Sequence, residues 1–142
     1  MRSVAELLHA KGNQVWAVAP DQTVLDALRV MAEKEVGALL VTSGEKVLGI
    51  LSERDYARKI VLKGRSSEST AVADVMSSEV TSVSSRQSIE ECMAVMTEKR
   101  IRHLPVIDEG KLVGIVSIGD LVKAVIEDQK FTISQLEHYI HT

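Results

Sequence analysis

The chain contains one pattern twice, and this internal repeat constrains its fold more than any other feature. When the sequence is shifted by 65 residues, segment 18–61 aligns with segment 83–126 without a gap. The identical pairs include Val30 with Val95, Met31 with Met96, Leu39 with Leu104, Gly49 with Gly114, Ser52 with Ser117 and Asp55 with Asp120. Because repetition at a fixed period indicates one structural unit per copy, we expect two units with the same fold.

Each copy has the same predicted order of elements, β-α-β-β-α. Runs of Val, Ile and Leu predict strands at 16–18, 36–41 and 47–51, and at 80–83, 101–107 and 112–116 in the second copy. Thr23 with Asp26, and Ser88 with Glu91, form capping-box pairs that predict the start of the first helix in each copy. A second helix follows each third strand. The predicted fold class is therefore α/β (α+β).

The predicted repeats must share a core. A unit of this size buries too little of its own surface to be stable alone, so we expect the two repeats to pack with pseudo-twofold symmetry and two clefts between them. The predicted divisions are a first repeat with an N-terminal helix at 1–64, a polar linker at 65–71, a second repeat at 72–127 and a C-terminal amphipathic helix at 128–142. A capping pattern at Thr132 and Gln135 predicts the start of that last helix.

Composition excludes several classes of protein. The chain is 45% hydrophobic and 26% charged, which is typical of a globular protein rather than a disordered one. A net charge of −3 argues against a nucleic-acid or membrane partner. With a single cysteine no internal disulfide is possible, so we expect a cytoplasmic protein. Cys92 is predicted to be a buried structural thiol, and His138 with His141 to be a frayed tail rather than a metal site.

The strongest candidate site is Ser-x-x-Asp at the start of each second helix, at Ser52 and Asp55 and again at Ser117 and Asp120. One interpretation is structural, because this spacing is a capping box. The other is functional, because a helix N-terminus attracts phosphate and an ionised aspartate can accept both hydroxyls of a ribose. Residue types and spacing leave both interpretations open.

The tandem repeat, with strand, Ser-x-x-Asp and helix closing each copy, resembles a pair of CBS domains (a Bateman module) over about residues 3–126. This resemblance implies a non-catalytic regulatory module, without a metal, that binds AMP, ADP, ATP or NAD(H) in the clefts between the repeats. S-adenosylmethionine is a less favoured ligand. It also implies that Asp55 and Asp120 bind the ribose, with Ser52 and Ser117 beside them. The expected signal is a change in conformation or assembly.

Basic residues near these positions are candidates for phosphate binding, because a guanidinium group matches the geometry of phosphate. They are Arg54, Arg102 and His103. Alternatively, Arg102 is solvated at a strand end and His103 is packed in the core. The resemblance implies that further residues line the clefts or contact the base: Trp16, Ala17, Gly37, Ala38, Thr81, Ser82, Ile101, Ile115, Ile118 and Gly119. For Trp16, simple packing is the alternative.

The resemblance further implies a homodimer that acts on an unidentified protein target in trans. The main alternative is a module for protein interaction or assembly that binds no ligand. A third hypothesis is an enzyme that hydrolyses nucleotides, although the sequence contains no glycine-rich phosphate loop and no arrangement centred on a nucleophile.

Overall fold

The computed structural model describes residues 2–12 and 14–141, apart from the side chain of His141. It forms two compact units, and their boundaries differ from those of the two copies in the sequence. The first unit contains residues 14–81, and the second contains residues 2–12 together with 82–141. The helix α1 (Val4–Lys11) therefore packs in the unit of the second copy. The sequence-based division had assigned this helix to the first repeat, because it precedes that repeat along the chain.

The first unit has a three-stranded sheet and follows the predicted order of elements. Its elements are β1 (Ala17–Val18), α2 (Val24–Lys34), β2 (Ala38–Ser43), β3 (Lys46–Ser52), α3 (Glu53–Asp55) with a π-helical continuation (Tyr56–Val61), and a 3-10 turn (Val72–Asp74). The strand β1 is parallel to β2, and β2 is antiparallel to β3. After the 3-10 turn, Ser77 pairs with Ile50 and extends the sheet beyond β3.

The second unit repeats this arrangement with a shorter sheet. Its remaining elements are α4 (Ile89–Lys99), β4 (His103–Asp108), β5 (Lys111–Ser117) and α5 (Ile118–His141). The strands β4 and β5 are antiparallel, in the same register as β2 and β3. The prediction of a strand at 80–83 was wrong, since only Val83 pairs with β4, through a single bridge to Val106.

A proline explains why this strand is missing. In the first unit the Leu40 amide donates to the Trp16 carbonyl across 3.2 Å. Pro105 occupies the position that aligns with Leu40 and has no N–H to donate to residue 81. The ladder in the second unit therefore begins only at Val83, whose amide donates to the Pro105 carbonyl across 3.0 Å.

The middle strands start two residues later than predicted in both units. Glu35 and Arg100, directly after α2 and α4, adopt the left-handed conformation with φ of 55° and 56°. The amides of Val36 and Ile101 then donate back to the carbonyls of Met31 and Met96, five residues earlier in each case. Such a helix end leaves two residues of turn before the chain becomes extended. Gly37 and Arg102 consequently lie before β2 and β4 rather than within them.

The glycines that recur in β3 and β5 allow the segments before each copy to pack closely. A Cβ atom on Gly49 would lie 2.7 Å from the Ser77 carbonyl oxygen, and one on Gly114 would lie 2.8 Å from a methyl group of Leu8. The 3-10 turn thus packs in the first unit and α1 packs in the second. Gly49 and Gly114 therefore each have a packing role.

The helix α5 is continuous for 24 residues, whereas the sequence predicted a separate helix beginning near Thr132. The predicted capping hydroxyl is used inside the helix instead, where Thr132 donates to the Asp128 carbonyl across 3.1 Å. No glycine or proline interrupts the sequence after Gly119, so nothing ends the helix early. Among residues 2–12 and 14–141, no helix combines the length and the apolar character needed to cross a bilayer.

Candidate functional site

The first candidate site lies where β3 ends and α3 begins. The Ser52 hydroxyl accepts the Asp55 amide across 3.2 Å, and the Asp55 Oδ2 atom accepts the Ser52 amide across 2.9 Å. The Ser52 hydroxyl also donates to the same Oδ2 atom across 3.1 Å. Both halves of the predicted capping box are present, so the structural interpretation of this motif is confirmed.

The other carboxylate oxygen of Asp55 faces a lysine and a serine. Lys59, four residues later in the π-helical turn, places its Nζ atom 3.2 Å from Oδ1. The Ser77 hydroxyl lies 3.5 Å from the same oxygen. Lys59 also donates to the Val75 carbonyl across 2.9 Å. The side chain of Asp55 is only 13% exposed, so this carboxylate is held on both sides.

The second candidate site, where β5 ends and α5 begins, has the same cap but a different cation. The Ser117 hydroxyl accepts the Asp120 amide across 3.1 Å, and the Asp120 Oδ2 atom accepts the Ser117 amide across 2.8 Å. Lys11, at the end of α1, donates from Nζ to this Oδ2 atom across 2.6 Å and to the Ile115 carbonyl across 2.9 Å. Within the described part of the chain, the Oδ1 atom of Asp120 receives no hydrogen bond.

These contacts set the charge of Asp120. Burial raises the pKa of this carboxyl, but the hydrogen bond from Lys11 and the backbone hydrogen bond from Ser117 outweigh it, so the net pKa is lowered. The group is therefore ionised at neutral pH. An ionised carboxylate with one fixed oxygen and one available oxygen can accept hydroxyl donors from a ligand.

The two helix starts leave few backbone amides for a phosphate. The Ile118 amide donates to the Arg102 carbonyl across 2.9 Å, and the Glu53 amide donates to the Gly37 carbonyl across 3.0 Å. The amide of each aspartate is used by the capping serine. Among the first three backbone amides of each helix, one donates no hydrogen bond to a described residue. It is the Arg54 amide in α3 and the Gly119 amide in α5. A phosphate near either site must therefore be bound mainly by side chains.

The predicted basic residues lie close in the fold to these helix starts. His103 begins β4 and is paired in register with Ser117, and its side chain is half-buried. Arg102, directly before it, is exposed, as the solvated interpretation expected. Arg54 is exposed within α3. In the first unit, Ala38 pairs with Ser52 at the position equivalent to His103.

The remaining predicted lining residues lie in varied environments. Trp16 packs against the core of the first unit, and its ring lies 4.4 Å from the Lys34 ammonium, which supports the packing interpretation. Ala17, Ser82 and Gly119 are exposed, whereas Ala38 is buried. The half-buried positions are Gly37, Thr81, Ile101, Ile115 and Ile118. A contact between any of these residues and a ligand stays a prediction.

Sequence reasoning missed Lys11 and Lys59. Lys59 could have been found, because it follows Asp55 by four residues on a predicted helix. Lys11 carried no such signal, because it lies 109 residues from Asp120 and reaches it only through the packing of α1 in the second unit.

The other candidate groups form no site. Cys92 is fully buried, as predicted, and burial together with the charge of Glu91 raises its pKa to about 11. Over residues 2–12 and 14–141, no three His, Cys, Asp or Glu side chains lie together where they could hold a metal ion. His138 is exposed, and the side chain of its predicted partner His141 lies outside the described part.

Comparison with known proteins agrees with the repeat seen in the structure. The sequence profile of the family described as "CBS domain" matches residues 5–62 and 72–127. The chain is 43% identical to CBSX3 of Arabidopsis thaliana, a mitochondrial CBS domain-containing protein, and the alignment covers 92% of this chain and 66% of that relative. It is 39% identical to the CBS domain-containing protein YhcV of Bacillus subtilis, covering 76% of each chain.

Solved structures give the same result. A protein with CBS domains from Burkholderia ambifaria, to which a role in signal transduction is attributed, matches with a TM-score of 0.87 and 53% identity. The match covers 90% of this chain and 96% of that one. A hexameric CBS-CP12 protein from bloom-forming cyanobacteria matches with a TM-score of 0.76 and 26% identity, covering 85% of this chain and 70% of that one.

Proposed function

The chain belongs to the CBS-domain family, and from this premise we propose that it is a non-catalytic regulatory module that binds an adenine nucleotide through Asp55 and Asp120. Pairs of CBS domains are generally regulatory modules with adenosine ligands. The observation that supports the proposal best is the state of Asp120. Its pKa is lowered, its Oδ2 atom is fixed by Ser117 and Lys11, and its Oδ1 atom remains able to accept a ribose hydroxyl.

The capping and ribose-binding roles are compatible, because they use different lone pairs. The Oδ2 atom of each aspartate accepts the amide of the capping serine, which fixes the orientation of the carboxylate before any ligand arrives. A preorganised acceptor loses less entropy on binding than a mobile one. In this proposal the capping box orients the carboxylate for the ribose as well as starting the helix.

Charge favours ligands that carry phosphate. Arg54 and Arg102 lie exposed beside the two helix starts, and guanidinium groups bind phosphate through paired hydrogen bonds. AMP, ADP, ATP and NAD(H) offer both a ribose and a phosphate. S-adenosylmethionine has a ribose and a cationic sulfonium but no phosphate, and its one carboxylate carries less negative charge than a phosphate chain, so the arginines would gain less from it. We therefore rank it below the nucleotides.

The test is calorimetric titration of AMP, ATP and NADH into the wild type and the Asp55→Asn and Asp120→Asn variants. Loss of a hydrogen bond to a charged acceptor costs about 1.5–3 kcal/mol, which corresponds to roughly a 10–150-fold loss of affinity. The matched control is Glu91→Gln, which alters the capping box of Ser88 at the start of α4, a helix to which no ligand role is assigned.

A capping role and a ligand role predict different outcomes. If the aspartates only cap helices, all three variants lose some stability and none loses affinity for nucleotide. If they bind ribose, Asp55→Asn or Asp120→Asn loses affinity while Glu91→Gln keeps it. Nucleotide affinity that is unchanged in both aspartate variants contradicts the assignment.

The alternative function, assembly without a ligand, is favoured by one finding. The cyanobacterial CBS-CP12 protein is hexameric, and self-association of a similar kind would allow this chain to act as a scaffold. A ligand that binds only the folded state must raise the melting temperature. Absence of any thermal stabilisation by AMP, ATP or NADH would therefore favour the assembly function.

Two further parts of the proposal have their own tests. Prolonged incubation with ATP and magnesium, followed by chromatography, tests whether the chain is an enzyme. It should show no ADP or AMP above the protein-free control.

The cytoplasmic location stays a prediction, because one relative, CBSX3, is mitochondrial. Imaging of a tagged chain in its native cell would test that prediction, and mass spectrometry of molecules that co-purify would identify the nucleotide and the target in trans.

A further inference from the structure

The helix α5 carries an apolar stripe that its own unit does not cover. Its inward face, with Leu121 and Ala124, is buried in the core of the second unit. A different face repeats at spacings of four and three residues, which is the a/d pattern of a coiled coil. We call this face the seam; it consists of Val122, Ile126, Gln129, Ile133, Leu136 and Ile140. The five apolar members are between 42% and 74% exposed.

The second half of α5 needs a partner to be stable. Every residue from 129 to 140 is exposed, and none of them belongs to the hydrophobic core cluster of the second unit. A short isolated helix is marginal in water, and most helical stability in proteins comes from burial of an apolar face. The seam supplies such a face, and its periodicity indicates that the partner is another helix.

We infer that the seam binds the seam of a second copy of this chain, with the two α5 helices antiparallel. In heptad terms, Ile126, Ile133 and Ile140 are the a positions, and Val122, Gln129 and Leu136 are the d positions. A register centred on residue 131 brings each a position opposite a d position. In this register Val122 faces the partner's Ile140, Ile126 faces the partner's Leu136, and Gln129 faces the partner's Ile133. All six seam residues of both helices then take part, and five of the six are apolar.

Charges beside the seam favour the antiparallel arrangement. Lys123, Lys130 and Glu137 occupy the e positions, and in antiparallel pairs e positions face each other. Lys123 then lies opposite the partner's Glu137 at both ends of the pair. In a parallel pair, e positions face g positions, which are Val125, Thr132 and Tyr139, so no opposite charges would meet. The one unfavourable antiparallel contact is Lys130 with the partner's Lys130 at the centre.

A groove on the helix fits the same arrangement. A shallow cavity of about 450 Å³ runs along the first half of α5 and is lined by Ile118, Val122 and Ile126 among others. In the antiparallel register this groove receives the partner's Leu136 and Ile140. The exposed end of each helix thus covers the groove at the start of the other. This inference is independent of nucleotide binding.

The first experiment compares two aspartate substitutions by light scattering after size exclusion. Ile133→Asp places a charge in the middle of the seam. Phe131→Asp is the matched control, because Phe131 is 67% exposed on the same helix but lies at the f position, away from the seam. We expect wild type and Phe131→Asp to have twice the mass of one chain, and Ile133→Asp to have the mass of one chain.

Both substituted positions are exposed, so both variants should keep the cooperative urea unfolding of the two units. Ile133→Asp alone should lose part of the helical circular dichroism signal, because the second half of its α5 then has no partner. A monomeric wild type, or a dimeric Ile133→Asp variant, overturns the inference. A Phe131→Asp variant that is monomeric as well would also contradict it, because the effect would not be specific to the seam.

The second experiment tests the orientation of the helices. Lys123→Glu and Glu137→Lys should each raise the dissociation constant about tenfold, because both symmetric pairs become repulsive. The double variant should restore the wild-type value. Lys130→Gln should tighten the dimer by removing the central repulsion. If the double variant only adds the losses of the two single variants, the antiparallel register is refuted.

Disulfide trapping gives an independent test of orientation. Two chains of distinguishable mass, one with Gln129→Cys and one with Ile133→Cys, are mixed and oxidised. The antiparallel register predicts a mixed disulfide, whereas a parallel pair would give disulfides only between identical chains. The native thiol of Cys92 is buried and does not interfere.

Discussion

The ion pair between Lys11 and Asp120 is a stabilising contact whose removal should have a specific pH dependence. The Lys11→Met variant keeps most of the aliphatic volume of the side chain and removes its charge. Asp120 retains the bond from the Ser117 amide at 2.8 Å, so the cap of α5 remains. The measured difference therefore reports the 2.6 Å contact between the ammonium and the carboxylate, together with the bond that Lys11 donates to the Ile115 carbonyl.

The magnitude follows from the partial burial of the pair. The side chains of Lys11 and Asp120 are 32% and 26% exposed. A hydrogen bond to a charged group contributes about 1.5–3 kcal/mol when shielded from water, whereas a solvent-exposed pair contributes about 0.2–1 kcal/mol. An intermediate value of about 1–2 kcal/mol is expected at neutral pH. For a chain of this size that corresponds to a fall in melting temperature of about 3–8 °C.

The pH dependence has a definite sign. Because the pKa of Asp120 is lowered in the folded state, the unfolded chain binds a proton before the folded chain does. The contribution is therefore present above the ordinary carboxyl pKa of about 3.9 and is lost as the pH falls through the lowered folded value. The stability gap between wild type and Lys11→Met should be constant from pH 7 down to about pH 5, and should narrow below about pH 4.

Urea denaturation at several pH values measures this gap, with Lys63→Met as a control for the loss of one exposed positive charge. The control should change stability by less than about 0.5 kcal/mol. A double-mutant cycle with Asp120→Asn isolates the interaction from other effects of each substitution. A gap that stays the same at pH 7 and at about pH 3, or a coupling energy of zero in the cycle, would refute the role assigned to Lys11.

Three further predictions concern packing, thiol reactivity and charge. Gly49→Ala should destabilise the chain by about 1–3 kcal/mol or more, because its Cβ atom would meet the backbone oxygen of Ser77. Gly114→Ala should lower the stability by less, because its Cβ atom would meet the flexible end of Leu8. Urea unfolding of both variants measures the difference. Cys92 should react with a thiol reagent only at the rate of unfolding, because it is buried and its pKa is raised to about 11; fast labelling of the folded protein would contradict this. Arg102→Ala should weaken ATP binding and leave adenosine binding unchanged, since the guanidinium group is expected to contact phosphate only; equal losses for both ligands in calorimetry would contradict that assignment.

Local signals in the sequence were sufficient for most of the fold. The repeat and the alternation of apolar runs with polar turns predicted the order of the elements, and the third strands were placed to within one residue at each end. The errors occurred where backbone hydrogen bonding depends on a neighbour. Pro105 prevents a bond to a segment more than twenty residues earlier, and the left-handed residues Glu35 and Arg100 delay the strands that follow them.

The segment before each copy packs in the unit of the other copy, and this could not be predicted because it depends on tertiary packing. The segment 4–8 resembles the segment 72–76, so the sequence shows that both copies have a leading segment. It does not show in which unit each of them packs. Only the close contacts of Leu8 with Gly114 and of Ser77 with Gly49 show that α1 lies in the second unit and the 3-10 turn in the first.

The same packing explains why identical motifs give unequal sites. Asp55 and Asp120 align in the repeat, but their cations do not. Lys59 aligns with Ala124, and Lys11 aligns with Glu79 at the shift of 68 residues that matches segment 4–8 with segment 72–76. One carboxylate is therefore paired within its own helix and the other with a lysine from α1. A ribose at Asp55 must share Oδ1 with Lys59 and Ser77, whereas a ribose at Asp120 meets an Oδ1 atom that no described residue uses. We therefore expect calorimetry of the wild type to show two binding steps. Asp120→Asn should abolish the tighter step, and Asp55→Asn should abolish the weaker step. The reverse order would show that the cations, rather than the available oxygens, determine affinity.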